Sequence, residues 1–261
     1  MKSALIAQRD LKLEAQLSAQ LDGARLGRPI QAFRQISSTM DMAHALAREG
    51  ATEGTLVFAE RQEQGRGRQG RMWESPLGGA YFSLILRPSR SSSEIPQLSL
   101  VAGLAAAEAI QELARVFPSI RWPNDMLIND RKVAGILVEA KSNAVVVGIG
   151  VNVTTGSRQL PEIATSLTTA GATNIDPHRM TGVLCRRFQK WYDVWTPEGF
   201  APIREALLPH MGLFGHVVHI TAGSTRFEGT AMDLDESGRL LVRLDSGFMR
   251  AFEMGEVTLL R

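Results

Sequence analysis

The sequence predicts an α+β fold: a mixed-sheet domain over residues 32–211, then a small β-barrel over 212–261, preceded by a helical extension over 1–31. Three observations predict it. Strand-like runs and helical runs are interleaved without a regular βαβ alternation up to about residue 211. One long run, Ile95 to about Val116, is rich in Leu and Ala and reads as a buried helix. From Gly215 onward the chain carries only short strand-like runs (HVVHITA, TRFEGTAMDLD, GRLLVRLD, GFMRAFEM, EVTLL) separated by turns.

In chain order, Leu5, Leu13, Leu17 and Leu21 recur at multiples of four and predict one amphipathic helix over 4–21, ended by Gly23 and Gly27-Arg28-Pro29. IQAFRQI is a short extended run. Ser37-Ser38-Thr39 offers N-caps for a helix over 40–49, closed by Gly50. TLVFAERQ and GGAYFSLILRP read as strands, the second stopped by Pro88. IRWPNDMLIND, RKVAGILVEAK and NAVVVGIGVNVT are strand-like, with tight turns at Asn129-Asp130 and Ser142-Asn143. Two helices, about 177–195 and 200–208, complete the domain.

Composition bounds the function. With 29 Lys plus Arg against 27 Asp plus Glu, the net charge of +2 gives no global argument for nucleic acid or membrane. A single cysteine, Cys185, rules out an intramolecular disulfide and suits a reducing compartment. The N-terminal apolar run is too short for a signal peptide, so a cytoplasmic location is expected.

The local chemistry is concentrated in a few places. EQGRGRQGR (63–71) packs three glycines and three arginines into nine residues between two strands. Glycine lets backbone N–H groups approach a ligand, and arginine forks onto phosphate or carboxylate. That describes a loop folding over an anion. On its own it also fits a solvated basic hairpin tip or an RNA-binding Arg/Gly segment. Neither a Walker A loop nor a dinucleotide fingerprint is present. Pro123 in RWPND marks a strand edge or bulge and aims Asn124 and Asp125 out of the ladder. Lys132 opens an apolar strand, where it needs an anion or a route to solvent. Gly135, Gly148 and Gly150 mark close approach to backbone or bulges in a packed sheet. Gln62 ends a strand and can offer both faces of its amide to a urea or amide. No zinc-ligand spacing and no G-x-S-x-G elbow occur.

The order of these motifs is more specific than any one of them. Ser38-Thr39, ERQEQGRGRQGRMW, RWPNDMLINDRKVAGILVE, VVGIGVNV, ATSL and a C-terminal barrel together resemble the biotin–protein ligases, from about residue 33 to the end. The resemblance implies a class II synthetase-like catalytic domain with an SH3-like C-terminal barrel. It implies ATP-dependent attachment of biotin, through biotinyl-AMP and with Mg2+, to a lysine of a biotin carboxyl carrier protein, the acetyl-CoA carboxylase subunit. It places Ser38, Thr39 and Gln62 near the ureido ring and its entry. Arg66, Gly67 and Arg68 fall in the closing loop. Gly135 and Gly148 lie against biotin. Lys132 stands between carboxylate and α-phosphate, with Lys132 and Arg68 as the catalytic cations. Arg66, Arg68, Arg71, Trp73, Asn124, Lys132 and Asn152 fall on the ATP and adenylate side, and Asp125 at the carrier-facing edge. The metal ligands are unknown.

This chain departs from the family pattern at Ser37 and Met40, where the family reads Asp and Asn around Ser-Thr, and at Arg121, where it reads Lys. Only about 31 residues precede the matching region, too few for a winged helix-turn-helix, so the expectation is a ligase without operator binding. The competing readings are a lipoate–protein ligase, a non-catalytic biotin sensor and an Arg-loop nucleic-acid module. Exposed sheet edges could pair two chains into a homodimer.

Overall fold

The computed structural model describes residues 8–141, 143–253 and 257–260. A seven-stranded mixed sheet is built from β1 (Ile30–Ile36), β2 (Leu56–Gln62), β3 (Gly79–Leu86), β4 (Ser119–Arg121), β5 (Asp125–Ile128), β6 (Arg131–Lys141) and β7 (Ala144–Asn152). Its order is β1-β2-β3-β7-β6-β5-β4, with β1 and β2 parallel and every other pair antiparallel. β3 and β7 are buried along their whole length, because helices and loops cover both faces of the sheet centre.

The helices divide between the two faces. α1 (Leu11–Gln20), α3 (Leu98–Ala114), α4 (Pro177–Glu198) and α5 (Ala201–Leu207) share one large core with alternate residues of β2, β3 and β7. α2 (Thr39–Arg48) lies on the opposite face, where Met40, Ala43 and Ala47 pack on Val57, Ala59, Ile85 and Val146. That face also carries the site described below.

The first helix is shorter than 4–21 because Asp10 caps it, its carboxylate accepting from Leu13 N at 2.9 Å. Leu5 lies outside the described residues. Leu13, Leu17 and Leu21 are buried at 2 % exposure or less. Each contributes about 1.5–3 kcal/mol by burial against the main core. Helix α1 of the extension thus packs into the main core. The run starting at Ile95 opens as a 3-10 turn over Ile95–Gln97 before α3, and Arg115 closes α3 in the left-handed region at φ 57°. Asn129 and Asp130 both have positive φ, as a tight two-residue hairpin requires. Of the other expected turn, Ser142 lies outside the described residues.

The C-terminal unit is a five-stranded antiparallel sheet of β8 (Val217–Ala222), β9 (Thr225–Leu234), β10 (Leu240–Leu244), β11 (Met249–Phe252) and β12 (Val257–Leu260), ordered β11-β10-β9-β8-β12. It is fastened to RWPND and to α5: the Trp122 indole donates to Gly238 O at 3.0 Å, and Arg204 Nε of α5 donates to Leu234 O at 2.7 Å.

Candidate active site

Two cavities meet on the α2 face of the sheet. The inner one, about 50 Å³, is lined by Thr39, Met40, Gln62, Arg66–Arg68, Trp73, Lys132, Gly135, Gly148 and Gly150, among others. The outer one, about 260 Å³, is lined by Arg71, Trp73, Arg121–Asp125, Lys132, Asn152 and the 160–164 segment. Gly67, Arg68, Trp73, Asn124 and Lys132 line both, and so stand where the two join.

The floor of the inner cavity is backbone. Gly135 and Gly150 face each other across β6 and β7, and Gly148 pairs with Ser83 on β3. A β-carbon at Gly150 would lie 2.6 Å from the Trp73 Nε1, and one at Gly148 would lie 2.5 Å from the Met40 sulfur. These glycines leave room for groups lying flat on the sheet. The Trp73 indole is one such group, and its Nε1 is buried without a hydrogen-bond partner.

Lys132 reaches this face through a bulge. Leu127 pairs with Lys132 and Met126 with Ala134, so Val133 is one residue in excess on β6. Strict alternation would put Lys132 on the face of Ala134. The extra residue re-aims it toward Gly135, whose β-carbon would lie 3.3 Å from Nζ. The ammonium pairs with Asp125 at 2.6 Å and sits 5.1 Å from the Trp73 ring centroid. Asp125 also accepts from Arg121 at 2.8 Å. Asp125 itself opens β5, in register with Arg121 and Gly135, so it is part of the ladder and not aimed out of it as expected.

The polar residues at the ring end form a chain. Ser83 Oγ donates to Thr39 Oγ1 at 2.9 Å. Thr39 N and Oγ1 approach Gln62 Oε1 at 2.8 and 3.1 Å, and Gln62 Nε2 donates to Ser75 Oγ at 2.8 Å. Both faces of the Gln62 amide are thus engaged with protein. Ser38 does not line either cavity; its hydroxyl caps α2 by accepting from Asp41 N at 3.4 Å.

The glycine–arginine loop lies across the cavities. Gly67 N donates to Arg71 O at 2.8 Å and Trp73 N to Gly65 O at 2.9 Å, closing it as an irregular hairpin. A β-carbon at Gly65 would meet Trp73 O at 2.3 Å, so this turn requires glycine. Arg68 donates to Asn124 Oδ1 at 2.9 Å. Burial, opposed by Asp125, holds the Arg68 pKa below its ordinary value. Asn124 donates in turn to Ile136 O at 3.2 Å and Asp125 at 3.1 Å, which makes it a tie between loop and strand. Asn152 donates to Thr165 O at 3.0 Å, while its Oδ1 is buried with no protein partner. The ATSL segment forms a wall: Lys132 N donates to Ile163 O, and Thr165 N donates to Lys132 O, both at 2.9 Å.

Most of the expected residues therefore converge on one site. What sequence reasoning missed is the carboxylate that anchors the loop, Glu139, together with Asp41. Strand alternation puts Glu139 on the face of Gly135, and that was the available signal. Among the described residues, no group of three His, Cys, Asp or Glu side chains is placed to hold a metal ion.

Residues 32–155 match the biotin/lipoate A/B protein ligase family, and residues 214–260 match the biotin protein ligase C-terminal domain. The chain is 37 % identical over 227 residues to the bifunctional ligase/repressor BirA of Bacillus subtilis, covering 83 % of this chain and 70 % of that one. It is 35 % identical over 213 residues to the biotin–[acetyl-CoA-carboxylase] ligase of Paracoccus denitrificans, covering 76 % and 88 %. The biotin protein ligase of Aquifex aeolicus, solved with biotin and ATP, superposes with a TM-score of 0.79 at 30 % identity, covering 90 % of this chain and 99 % of that one. The motifs and the fold agree with these likenesses: the chain belongs to the biotin–protein ligases of the biotin/lipoate ligase family.

Proposed function

We propose that this protein joins biotin to a lysine of a biotin carboxyl carrier protein, through biotinyl-AMP. One observation carries the reading: Lys132, re-aimed by the bulge, stands at the junction of a small glycine-floored cavity and a larger one that arginines and apolar side chains line together. The glycine floor suits a flat ring with an apolar tail, so biotin is assigned to the first cavity and ATP to the second. The carboxylate then meets the α-phosphate beside the ammonium.

In the first step a biotin carboxylate oxygen attacks the α-phosphorus, a P–O bond forms, and pyrophosphate leaves. Lys132 and Arg68 are fixed cations that offset the charge gathering on the phosphoryl oxygens, and require no reorganisation during reaction. The unpartnered Asn152 Oδ1 is an acceptor available to the nucleotide. Mg2+ would supply further neutralising charge to the phosphates; among the described residues no cluster of acidic or His side chains is placed to hold it, so the nucleotide itself would have to carry it. In the second step the carrier lysine, as the free amine, attacks the acyl carbon, AMP leaves with the bonding electrons, and the amine gives up a proton. Between the steps the mixed anhydride must be kept from water, which the loop over both cavities does. No helix among the described residues is long and apolar enough to cross a membrane, and the cytoplasm, where carrier proteins are charged, is the proposed location.

The test is the intact mass of an apo carrier domain after incubation with protein, biotin, ATP and Mg2+. A gain of one biotinyl group is expected, and Lys132→Ala should cut the initial rate by about 10²–10³, the usual weight of one preorganised electrostatic group. Biotin binding without any mass gain would overturn the ligase reading in favour of a sensor. Labelling with lipoate in place of biotin would overturn the substrate.

A further inference from the structure

The loop is held shut by residues outside its own motif. Arg66 helps to wall the inner cavity, yet its guanidinium is committed elsewhere. Nη2 donates to Glu139 Oε1 at 2.5 Å, and Nη1 donates to Glu139 Oε2 at 3.2 Å and to Asp41 Oδ1 at 2.9 Å. One side chain therefore ties the loop to β6 on one side of the cavity and to α2 on the other.

The two carboxylates are not equivalent. The Asp41 side chain is 57 % exposed and the Glu139 side chain 19 %. Solvent weakens an exposed pair much more than a sheltered, forked one. Glu139 is also fixed from behind: its Oε2 accepts from Lys141 Nζ at 2.9 Å and lies 2.9 Å from His44 Nε2. His44 is buried, and burial holds it neutral below its ordinary pKa, so the nitrogen facing the carboxylate is the N–H. The β6 and α2 groups thus fix Glu139 on the sheet side of the contact, as a catch for Arg66.

We propose that Glu139 is a positioning residue that keeps the loop closed over the adenylate by holding Arg66, and so sets how long the intermediate is retained and not how fast it forms. This rests on the ligase reading above. The reading and the catch fail separately in the following experiment.

Labelled biotinyl-AMP is formed on the enzyme, excess is removed, and its release is followed in an unlabelled chase. Glu139→Gln keeps the shape and the neighbouring contacts but not the charge. It should release the adenylate about ten- to a hundredfold faster, the weight of one hydrogen bond to a charged group. First-turnover pyrophosphate release should stay within about twofold. Arg66→Ala should release it as fast, and adding Glu139→Gln to Arg66→Ala should change release no further. Trypsin cleavage after Arg68 and Arg71 in ligand-free protein should accelerate in both single variants. Unchanged release in Glu139→Gln, or additive effects in the double variant, would overturn the catch. Were the wild type to yield no biotin-dependent pyrophosphate, the ligase reading would fall, and the trypsin comparison would still decide: equal cleavage of wild type and Glu139→Gln overturns the proposal. Were Glu139→Gln to misfold, Glu139→Asp carries the test, since it keeps the charge but draws the carboxylate back from Arg66: release as slow as in the wild type overturns the catch.

Discussion

Adding one methyl group at Gly148 should separate ligand binding from stability. A β-carbon there would lie 2.5 Å from the Met40 sulfur, 3.1 Å from Met40 Cγ and 3.5 Å from Ser83 Oγ. The Ser83 distance is ordinary contact, so the conflict is with Met40 alone. The backbone at Gly148 is not in the left-handed region, so Gly148→Ala carries no conformational strain of its own. Met40 is flexible enough to move, but it is buried, 3 % exposed, and packed with Ala43, Val146 and Ile85. The adjacent open space is the inner cavity of about 50 Å³. The thioether therefore relieves the clash by entering the space assigned to biotin. Overpacking of this kind costs about 1–3 kcal/mol, here in ligand affinity, which is about a five- to 150-fold rise in the biotin Kd. Calorimetric titration of biotin into Gly148→Ala measures it, alongside a thermal melt. The expected pattern is a large loss of affinity with a small change in melting temperature, and partial recovery in Met40→Ala/Gly148→Ala. An unchanged Kd with a lowered melting temperature would refute the reasoning, because the methionine would then have moved into the core and not the cavity.

Three further outcomes follow from the same geometry. Arg68→Gly removes the bond to Asn124 and should release biotinyl-AMP, raising labelling of free amines; normal retention in a chase would count against the role of that arginine in the lid. Asn152→Ala removes a buried acceptor that has no protein partner, and should raise the KM for ATP about tenfold, as a lost hydrogen bond of about 1.5 kcal/mol does, with the biotin Kd unchanged. Burial, partly opposed by Glu139, holds His44 below its ordinary pKa of 6.5. The unfolded chain therefore takes up this proton first as pH falls, and stability should decline below about pH 6.5. Burial opposes Glu139 ionisation, but Lys141, His44 and Arg66 outweigh it and hold its pKa below 4.5; that contribution is lost only at still lower pH. Melting curves from pH 7.5 to 5.5 should show the first decline flattened in His44→Gln.

The elements were legible because their local signals agree with their tertiary roles. Leu13, Leu17 and Leu21 mark a stripe that is indeed buried, and Ser38 caps the helix that its position announces. What the stripe packs against was not legible, since Gln20 meets Gly182 and Arg186 some 160 residues on. The glycines of β6 and β7 announced close approach, but the group lying on them, Trp73, comes from another loop. Lys132 was legible as a misplaced cation, whereas its direction depends on a one-residue register shift that no composition signal carries.

Gln62 shows how a motif residue can matter without offering a free face. Its carbonyl holds the first turn of α2 through Thr39, and its amide nitrogen holds Ser75, whose hydroxyl donates to Trp73 O at 3.1 Å. The chain Ser83–Thr39–Gln62–Ser75 thus connects the sheet centre to the return limb of the loop. A ligand that draws the hydroxyl hydrogen bond from Thr39 must loosen its link to Gln62, and the far end of the chain is the backbone of Trp73, whose indole lies over Gly135 and Gly150. Occupation of the ring end and placement of the indole at the cavity junction are therefore mechanically joined. Under the proposed function, the groups at the ring end would therefore help to set the position of the residue shared with the nucleotide cavity.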